Sequence, residues 1–253
     1  MAHLHRFYVG EGLPESGDCD LSPEEAHHAV RVVRVRAGDV IALFDGRGCE
    51  ATATVTEARG GVVRAAIASV EHRPAPTTRV ELVQAWLHRD KAVEELIRRG
   101  TEFGVDAFRF YRARRSERAP REAVEKWTRI AVEVCKQCGR SRLPMFSAAA
   151  SLEEALDGLP DASRVLAAAQ DVMPEPMSEA LSGIAPGGTA ALVVGPEGDF
   201  AEEEVGALRA RGAHWTSFGA LTFRSEVAAM LGAVLVRYEL GDLGPHGMPR
   251  GTS

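Results

Sequence analysis

The sequence predicts an α/β protein in two parts, a small all-β module followed by a larger layer in which strands and helices alternate. Two observations predict this division. Up to about residue 73, short segments of alternating apolar and polar residues are separated by Gly-Asp, Asp-Gly and Gly-Gly pairs, which is typical of a small β-barrel or sandwich. After a proline-bearing linker at 72–79, apolar runs that predict strands alternate with segments of helical periodicity. This order is typical of a mainly parallel sheet with helices between its strands.

In the first part, "PEEAHHAV" predicts a short helix and four alternating segments predict strands. The strand segments are "AVRVVRVR", "VIALFDGRG", "ATATVTEA" and "GVVRAAIASV". The first domain is therefore predicted to span residues 1–73.

In the second part, a buried strand at 79–87 leads into a helix that Gly104 stops, and a further helix lies between Pro120 and Gly139. Strands are predicted at 164–169, 189–194 and 214–219, with helices at 201–211 and 225–240. The last helix carries a broad apolar stripe suited to packing against the sheet or a partner: Val227, Met230, Leu231, Val234, Leu235 and Tyr238. The second domain is predicted to span residues 79–244.

Length and composition bound the class of protein. The chain has 253 residues, of which 45% are hydrophobic and 26% charged, as expected for one large or two modest globular domains. No apolar run approaches the roughly 20 residues of a membrane-spanning helix, and the N-terminus lacks the apolar core of a signal peptide. We expect a cytoplasmic protein with no membrane partner.

The four cysteines give a single CxxC, formed by Cys135 and Cys138, and no second ligand pair that would complete a zinc site. Cys138 falls on an apolar spacing with Trp127, Ala131 and Val134, so packing in a core explains it without chemistry. No metal is predicted.

Positive charge is concentrated in the middle of a chain whose net charge is −6. Residues 89–142 contain 15 Lys and Arg against 9 Asp and Glu. The stretch "FRFYRARRSERAPR" mixes six arginines with Phe108, Phe110 and Tyr111, which suits phosphates and stacked bases. A solvated helix or loop face explains the charge equally well, so these residues alone do not decide between the two interpretations.

Two predicted strands end in glycine-bearing loops, at Gly195–Gly198 and at Phe218–Gly219. Ligands of open parallel sheets bind beyond the carboxyl ends of strands, so both loops are predicted to face one pocket. The glycines of "GPEG" admit positive φ and close backbone approach. The sequence contains neither GxxxxGK[ST] nor a GxGxxG that opens a helix, the two motifs that bind nucleotide phosphates. The acidic residues from Glu197 to Glu204 would repel a polyanion, so a neutral or cationic ligand is favoured.

Several stretches together resemble the ribosomal RNA small-subunit methyltransferase E family. They are "HRFYV", "KWTRIAVEVCKQCGRSRLP", "LVVGPEGDF", "SFGALTFRSEVAAM" and "GDLG", in order through nearly the whole chain. The resemblance implies an N-terminal PUA-like RNA-binding β-barrel and a C-terminal SPOUT α/β domain with a trefoil knot. It also implies a homodimer that transfers a methyl group from S-adenosyl-L-methionine to N3 of a uridine in 16S ribosomal RNA of the small subunit.

The resemblance also implies roles for individual residues. The residues it assigns to cofactor binding are Leu192, Gly195, Pro196, Glu197, Gly198, Phe218, Gly219, Leu221 and Phe223. Arg224 is assigned to uracil orientation and stabilisation of the anion formed when N3 loses its proton, while Glu226 holds Arg224 or relays the proton. Capping of the last helix and a mutual ion pair is the alternative for this pair. Phosphate contact is predicted for Arg6, Arg31, Arg34, Arg36, Arg115, Arg118, Arg140 and Arg142.

The chain departs from the family pattern at three places. Asp199 stands where glycine is usual and changes the charge at the pocket mouth, Ala220–Phe223 must contact the cofactor mostly through backbone, and Ser225 replaces threonine. Two other functions stay open: a noncatalytic RNA-binding or ribosome-assembly module, and a small-molecule α/β enzyme that is redox-active through Cys135 and Cys138.

Overall fold

The computed structural model describes residues 4–10, 12–116, 120, 123–169 and 173–243. The chain divides into two compact units, of which the first comprises residues 1–75 and 132–143, and the second comprises 76–131 and 144–253. The first unit therefore includes a segment that follows much of the second unit along the chain. The predicted end of the second domain at residue 244 lies outside the described residues.

The first unit is built on a five-stranded sheet. Its elements are β1 (Arg6–Tyr8), β2 (Asp18–Asp20), α1 (Pro23–His28), β3 (Val40–Phe44), β4 (Cys49–Arg59) and β5 (Val62–His72). The strand order is β1-β3-β4-β5-β2, and only the β1–β3 pair is parallel. Two register shifts between β4 and β5 bend the hairpin, so that its inner face covers a core containing Phe7, Ile41 and Val55.

The prediction of a strand at "AVRVVRVR" is wrong. Residues Ala29–Val33 form a π-helical turn that continues α1 and ends at Arg34, whose φ of 64° is left-handed. Ala26 and Ala29 are buried on one side of this helix, whereas Val32 is 64% exposed. The helical spacing of the two alanines decides the structure here, because the valine-arginine alternation is short enough to satisfy either periodicity.

Helix α3 (Val124–Cys138) contributes its second half to the first unit. There Lys136 Nζ donates to Glu25 at 2.8 Å, and both side chains are buried. Cys135 is fully buried and Cys138 is exposed, so the prediction that Cys138 is the core cysteine is wrong by one helical turn. The hydrogen bond with Cys138 and burial raise the pKa of the Cys135 thiol, which disfavours thiolate redox chemistry.

The second unit is built on a six-stranded, wholly parallel sheet. Its strands are β6 (Arg79–Ala85), β7 (Ala107–Tyr111), β8 (Met145–Ala149), β9 (Arg164–Ala168), β10 (Thr189–Val194) and β11 (His214–Thr216). Its helices are α2 (Asp90–Glu102), the first half of α3, α4 (Leu152–Asp157), α5 (Met177–Ala180), α6 (Glu202–Ala210) and α7 (Ser225–Glu239). Apolar cores lie on both faces of the sheet, as parallel sheets require.

The strand order β11-β9-β10-β6-β7-β8 creates a switch point in the sheet. From β6 the chain builds outward through β7 and β8, then returns to the other side of β6, where β10 lies between β6 and β9. Ligand crevices of open parallel sheets form where the direction of building reverses. The switch point lies between β6 and β10, so a site is expected beside the carboxyl end of β10.

The aromatic residues of the basic stretch are part of the core and are not available for stacking on bases. Phe108, Phe110 and Tyr111 are fully buried in β7. Arg109, on the same strand, donates to the buried Glu81 at 2.7 Å. The interpretation of this stretch as a stacking surface is thus wrong for its aromatics, because its first four residues belong to an interior strand of the sheet that sequence reasoning missed.

Helix α7 packs on the sheet through small side chains. Ala229, Gly232, Ala233 and Val236 are buried, and a Cβ built on Gly232 would lie 2.5 Å from Leu192 Cδ2. Of the predicted stripe, Met230 packs against the core, whereas Val227 and Tyr238 are exposed on the outer side and the other three residues are half-buried. Within the described part of the chain, no helix is long and apolar enough to cross a lipid bilayer.

Candidate functional site

A cavity of about 430 Å³ opens at the carboxyl ends of β9, β10 and β11. Its size falls in the range of cavities that hold small ligands. It is lined by the ends of these strands, the two glycine-bearing loops and the first turn of α7. The described residues that line it are Ala168, Ala169, Pro174, Val194, Gly195, Pro196, Glu197, Asp199, Thr216, Ser217, Phe218, Gly219, Ala220, Leu221, Thr222, Phe223, Ser225 and Ala228.

The loop after β10 turns through Asp199, whose φ is 60°. Neither Gly195 nor Gly198 uses the positive φ that glycine admits. Gly195 is needed for close approach instead, since a Cβ there would lie 3.3 Å from the ring of Phe200. The left-handed turn at Asp199 is stabilised by its own carboxylate, whose Oδ1 accepts from the Phe200 amide at 2.8 Å.

Three buried hydrogen bonds fix the start of the same loop. Ser225 Oγ, at the beginning of α7, donates to the Gly195 carbonyl at 2.6 Å, and Gln84 Nε2 donates to Ser225 Oγ at 2.7 Å. The Tyr111 hydroxyl donates to the Val194 carbonyl at 3.3 Å. The loop is therefore attached to β6, β7 and α7 before any ligand binds, which is the preorganisation that a binding loop needs.

The loop after β11 forms the opposite wall of the cavity. Gly219 has a φ of 102°, a conformation that favours glycine, and its amide donates to Ser217 Oγ at 3.2 Å. Phe218 packs against the core beneath α7, whereas Leu221 is 76% exposed at the rim. This wall combines one anchored aromatic ring with a backbone that is accessible from the cavity.

Seven of the nine residues predicted to bind cofactor line this cavity. They are Gly195, Pro196, Glu197, Phe218, Gly219, Leu221 and Phe223. Leu192 is buried within β10 and packs near Gly232, and Gly198 is exposed on the loop, where its carbonyl accepts from Arg115 Nη1 at 2.7 Å. Sequence reasoning missed Ala168, Ala169 and Pro174, because the end of β9 carries no glycine motif that would mark a loop.

The polar groups of the cavity suit an uncharged or positively charged ligand. Thr216 is 1% exposed, and its Oγ1 has no hydrogen-bond partner within the described residues. Glu197 and Asp199 line the cavity, and no described lining residue is Lys, Arg or His. Unpaired hydroxyl and backbone groups can hydrogen-bond a nucleoside, while carboxylates favour a cation over an anion.

Arg224 and Glu226 lie at the start of α7, next to the cavity. Arg224 is the N-cap residue of the helix and is exposed, but its side chain makes no capping hydrogen bond. Glu226 follows in the first turn and is half-buried. No ion pair joins the two side chains in the described structure, so the alternative holds only for their positions at the helix start.

Of the arginines predicted to contact phosphate, three in the first unit are exposed: Arg31, Arg34 and Arg36. Arg6 is different, because its side chain is only 12% exposed, pairs with Glu50 at 2.8 Å and lies over the ring of Phe44. Arg140 and Arg142 are half-buried and donate to backbone carbonyls of the same unit. These contacts give Arg6, Arg140 and Arg142 structural roles within the first unit.

In the second unit, Arg115 is exposed and holds the Gly198 carbonyl. Arg118 lies outside the described residues. Among the residues that the structure does describe, no group of three or more His, Cys, Asp or Glu could hold a metal ion.

Comparison with known proteins agrees with the two-part organisation. A family model described as an RNA methyltransferase domain matches residues 73–236, and one described as an RNA methyltransferase PUA domain matches residues 21–67. A ribosomal RNA small subunit methyltransferase E from Mycobacterium bovis is 31% identical over 90% of each chain. The chain belongs to this methyltransferase E family. A member from Bacillus subtilis is 27% identical and covers 93% of this chain and 97% of its own.

A solved structure of the methyltransferase E family has the same fold. The enzyme from Neisseria gonorrhoeae, whose crystal structure is described as bound to S-adenosyl methionine, superposes with a TM-score of 0.82 at 26% identity. The match covers 96% of this chain and all of that one. The predicted fold class, a PUA-like β-barrel followed by a SPOUT α/β domain, and the prediction of an RNA methyltransferase are confirmed. The trefoil knot stays a prediction.

Proposed function

We propose that this methyltransferase transfers a methyl group from S-adenosyl-L-methionine to N3 of a uridine in 16S ribosomal RNA of the small subunit. The observation that carries the proposal is the cavity at the ends of β9, β10 and β11, in a chain of the methyltransferase E family. The related Neisseria gonorrhoeae enzyme, described as bound to S-adenosyl methionine, supports the choice of cofactor. The reaction takes place in the cytoplasm, where ribosomal subunits are assembled.

S-adenosylmethionine supplies a methyl group that its positively charged sulfur already activates, so the protein needs to align and desolvate the reactants. We assign cofactor binding to Gly195–Glu197 on one wall and Phe218–Phe223 on the other. Backbone groups of these loops and the unpaired Thr216 hydroxyl hydrogen-bond the nucleoside, while Phe218 provides an apolar contact. Gly198 contributes by fixing the loop through Arg115.

The uracil ring must lose its N3 proton before nitrogen can attack a methyl group, and the negative charge then spreads to O2 and O4. We assign Arg224 to that charge, since it is exposed at the start of α7, which also lines the cavity through Ser225. A guanidinium that is always charged lowers the cost of ionisation and offers paired donors to a uracil oxygen. Glu226 orients Arg224 or accepts the proton.

RNA is held outside the cavity by arginines that the structure leaves exposed. We propose phosphate contact for Arg31, Arg34 and Arg36 of the first unit, whose side chains face solvent. Each neutralised phosphate releases counterions, so RNA binding by this surface weakens as salt increases. Arg6, Arg140 and Arg142 support this role indirectly by holding the barrel together.

We also propose a homodimer whose interface includes the outer side of α7. The larger apolar side chains of this helix, among them Val227, Leu231 and Leu235, are exposed or half-buried, while its small residues cover the sheet. Apolar side chains that repeat every three or four residues along an open helix face favour pairing with a copy of the same face. A dimer places two such helices together.

The first experiment is a calorimetric titration of the purified chain with S-adenosylmethionine, comparing the wild type with Gly195→Trp and Arg224→Ala. We expect saturable binding that Gly195→Trp abolishes, because an indole there meets Phe200 and fills the cavity, and that Arg224→Ala largely spares. Methyl transfer to small subunits is then measured by mass spectrometry of the RNA. Arg224→Ala should lower the rate at least about a hundredfold.

The titration and the methylation assay separate the alternatives. A chain that binds RNA but gives no heat and no thermal shift with millimolar cofactor, with or without small subunits, is a noncatalytic binding module. Full methylation by Arg224→Ala would remove Arg224 from the catalytic role but leave the cofactor site in place.

A further inference from the structure

We propose that Asp199 makes the cofactor pocket select a positively charged ligand over its uncharged counterpart, so that the pocket favours the sulfonium cofactor over the thioether product. This inference rests on the proposed function, because it concerns the same cavity. It assigns to one side chain a role in product release, whereas the loop around it binds both compounds.

The first observation is that the Asp199 carboxylate is fixed in place. The residue is half-buried, its backbone is left-handed with φ of 60°, and Oδ1 accepts from the Phe200 amide at 2.8 Å. Aspartate tolerates this conformation better than most residues because its short side chain hydrogen-bonds locally. A carboxylate held this way presents a stationary negative charge to the cavity it lines.

The second observation is that no cationic side chain among the described lining residues neutralises the carboxylates of the cavity. Glu197 and Asp199 are the only charged side chains among the described lining residues. Two cations lie nearby but are not part of the lining: Arg115, which follows β7 and donates to the Gly198 carbonyl, and the exposed Arg224 at the start of α7. The field of Asp199 also reaches the buried Tyr111, whose phenol pKa is raised by burial first and then by Glu204 and Asp199.

The third observation is the unpaired hydroxyl of Thr216, which is buried in the same cavity. A polar group buried without a partner is costly, so this one points to a ligand that hydrogen-bonds it. The cavity therefore pairs an uncharged hydrogen-bonding wall with an acidic mouth. The hydrogen-bonding wall suits the nucleoside that cofactor and product share. The acidic mouth suits the positive charge on sulfur, which only the cofactor carries.

The two ligands differ by one charge at neutral pH. S-adenosylmethionine carries a carboxylate, an ammonium and a sulfonium group, so its net charge is positive. When the methyl group moves to the deprotonated N3, the carbon–sulfur bond breaks and its electron pair stays on sulfur, which leaves a neutral thioether. The attraction to Asp199 is lost in the same step, so the product is released more easily than the cofactor.

The test measures three dissociation constants by calorimetry on the full chain at low salt. The ligands are S-adenosylmethionine, the thioether product S-adenosylhomocysteine, and sinefungin, which carries an amine near the sulfonium position. Asp199→Asn removes the charge with little change in size, and Asp199→Gly is compatible with the left-handed backbone. Glu203→Gln removes an exposed carboxylate of α6 that does not line the cavity, and it serves as the matched control.

We expect Asp199→Asn and Asp199→Gly to weaken binding of the two cationic ligands by about fivefold and that of S-adenosylhomocysteine by less than twofold. Glu203→Gln should change none of the three. Equal changes for all three ligands, or no change for any, would overturn the role of Asp199 while leaving the cofactor site intact. A wild-type chain that binds neither cofactor nor product would instead overturn the proposed function itself.

Discussion

At the scale of single residues, Ser225 has the most consequential contacts near the cavity. Its hydroxyl accepts from Gln84 and donates to the Gly195 carbonyl, so one side chain connects a central strand, the cofactor loop and the last helix. The residue is buried, and both partners would lose a hydrogen bond if the hydroxyl were removed. Unsatisfied buried groups are more costly than the mean value of a hydrogen bond suggests.

We predict that Ser225→Ala lowers the free energy of unfolding by about 1–3 kcal/mol and weakens S-adenosylmethionine binding. Urea denaturation and calorimetry measure the two effects. Ser225→Thr keeps the hydroxyl and is the matched control, expected to behave much like the wild type. A Ser225→Ala protein with unchanged stability and affinity would show that these hydrogen bonds do not hold the loop.

The sequence predicts seven of the nine proposed cofactor residues to lie where the structure places the cavity, but it does not predict how the loop turns. Glycine at positions 195 and 198 admits positive φ, but the left-handed residue is Asp199. The loop is held by residues far away in the sequence, Ser225, Tyr111 and Arg115. Those partners cannot be identified from local composition.

At the scale of elements, helix α7 shows why an apolar pattern does not reveal which side is buried. The helix is apolar nearly all round, and its large side chains suggest a packed stripe. The face that contacts the sheet includes the small residues Ala229, Gly232 and Ala233, because Leu192 and Phe218 already occupy the space above β10. Small residues at such a contact let the helix approach the sheet closely without steric clash.

We predict that Gly232→Val lowers the free energy of unfolding by about 2–3 kcal/mol, because a Cβ there would meet Leu192 at 2.5 Å and Phe218 at 2.8 Å. Urea denaturation measures the change. Gly206→Ala, in an exposed position of α6 with nothing within 4 Å of the new carbon, should raise stability by about 0.5–1 kcal/mol. Similar effects of both substitutions would contradict the close contact beneath α7.

At the scale of the whole molecule, the two-part organisation is predicted by a change in sequence pattern near residue 73. Short alternating strand segments give way there to alternating strands and helices. This change does not predict that residues 132–143 group with the first unit. That grouping depends on contacts between residues far apart in the chain, such as Lys136 with Glu25, and no local pattern encodes them. The same holds for the strand order, in which β10 separates β6 from β9.

We predict that Leu231→Glu, on the outer side of α7, converts a dimer into a monomer, because a charge in an apolar interface loses its hydration. Size-exclusion chromatography with light scattering gives the mass, which should fall to the 27.2 kDa of one chain. Val32→Glu replaces an exposed apolar residue of the first unit and should leave the dimer intact. A monomeric wild type would contradict the proposed assembly.

The position of β10 also has a consequence during synthesis. This strand pairs with β6 on one side and β9 on the other, and Thr189 aligns with Arg79. At a translation rate of roughly 5–20 residues per second, β6 leaves the ribosome several seconds before its neighbour exists. During that interval the nascent methyltransferase domain has a hydrophobic strand with one unpaired side. Chaperone binding to the emerging chain is therefore expected to be greatest before Val194 has been translated.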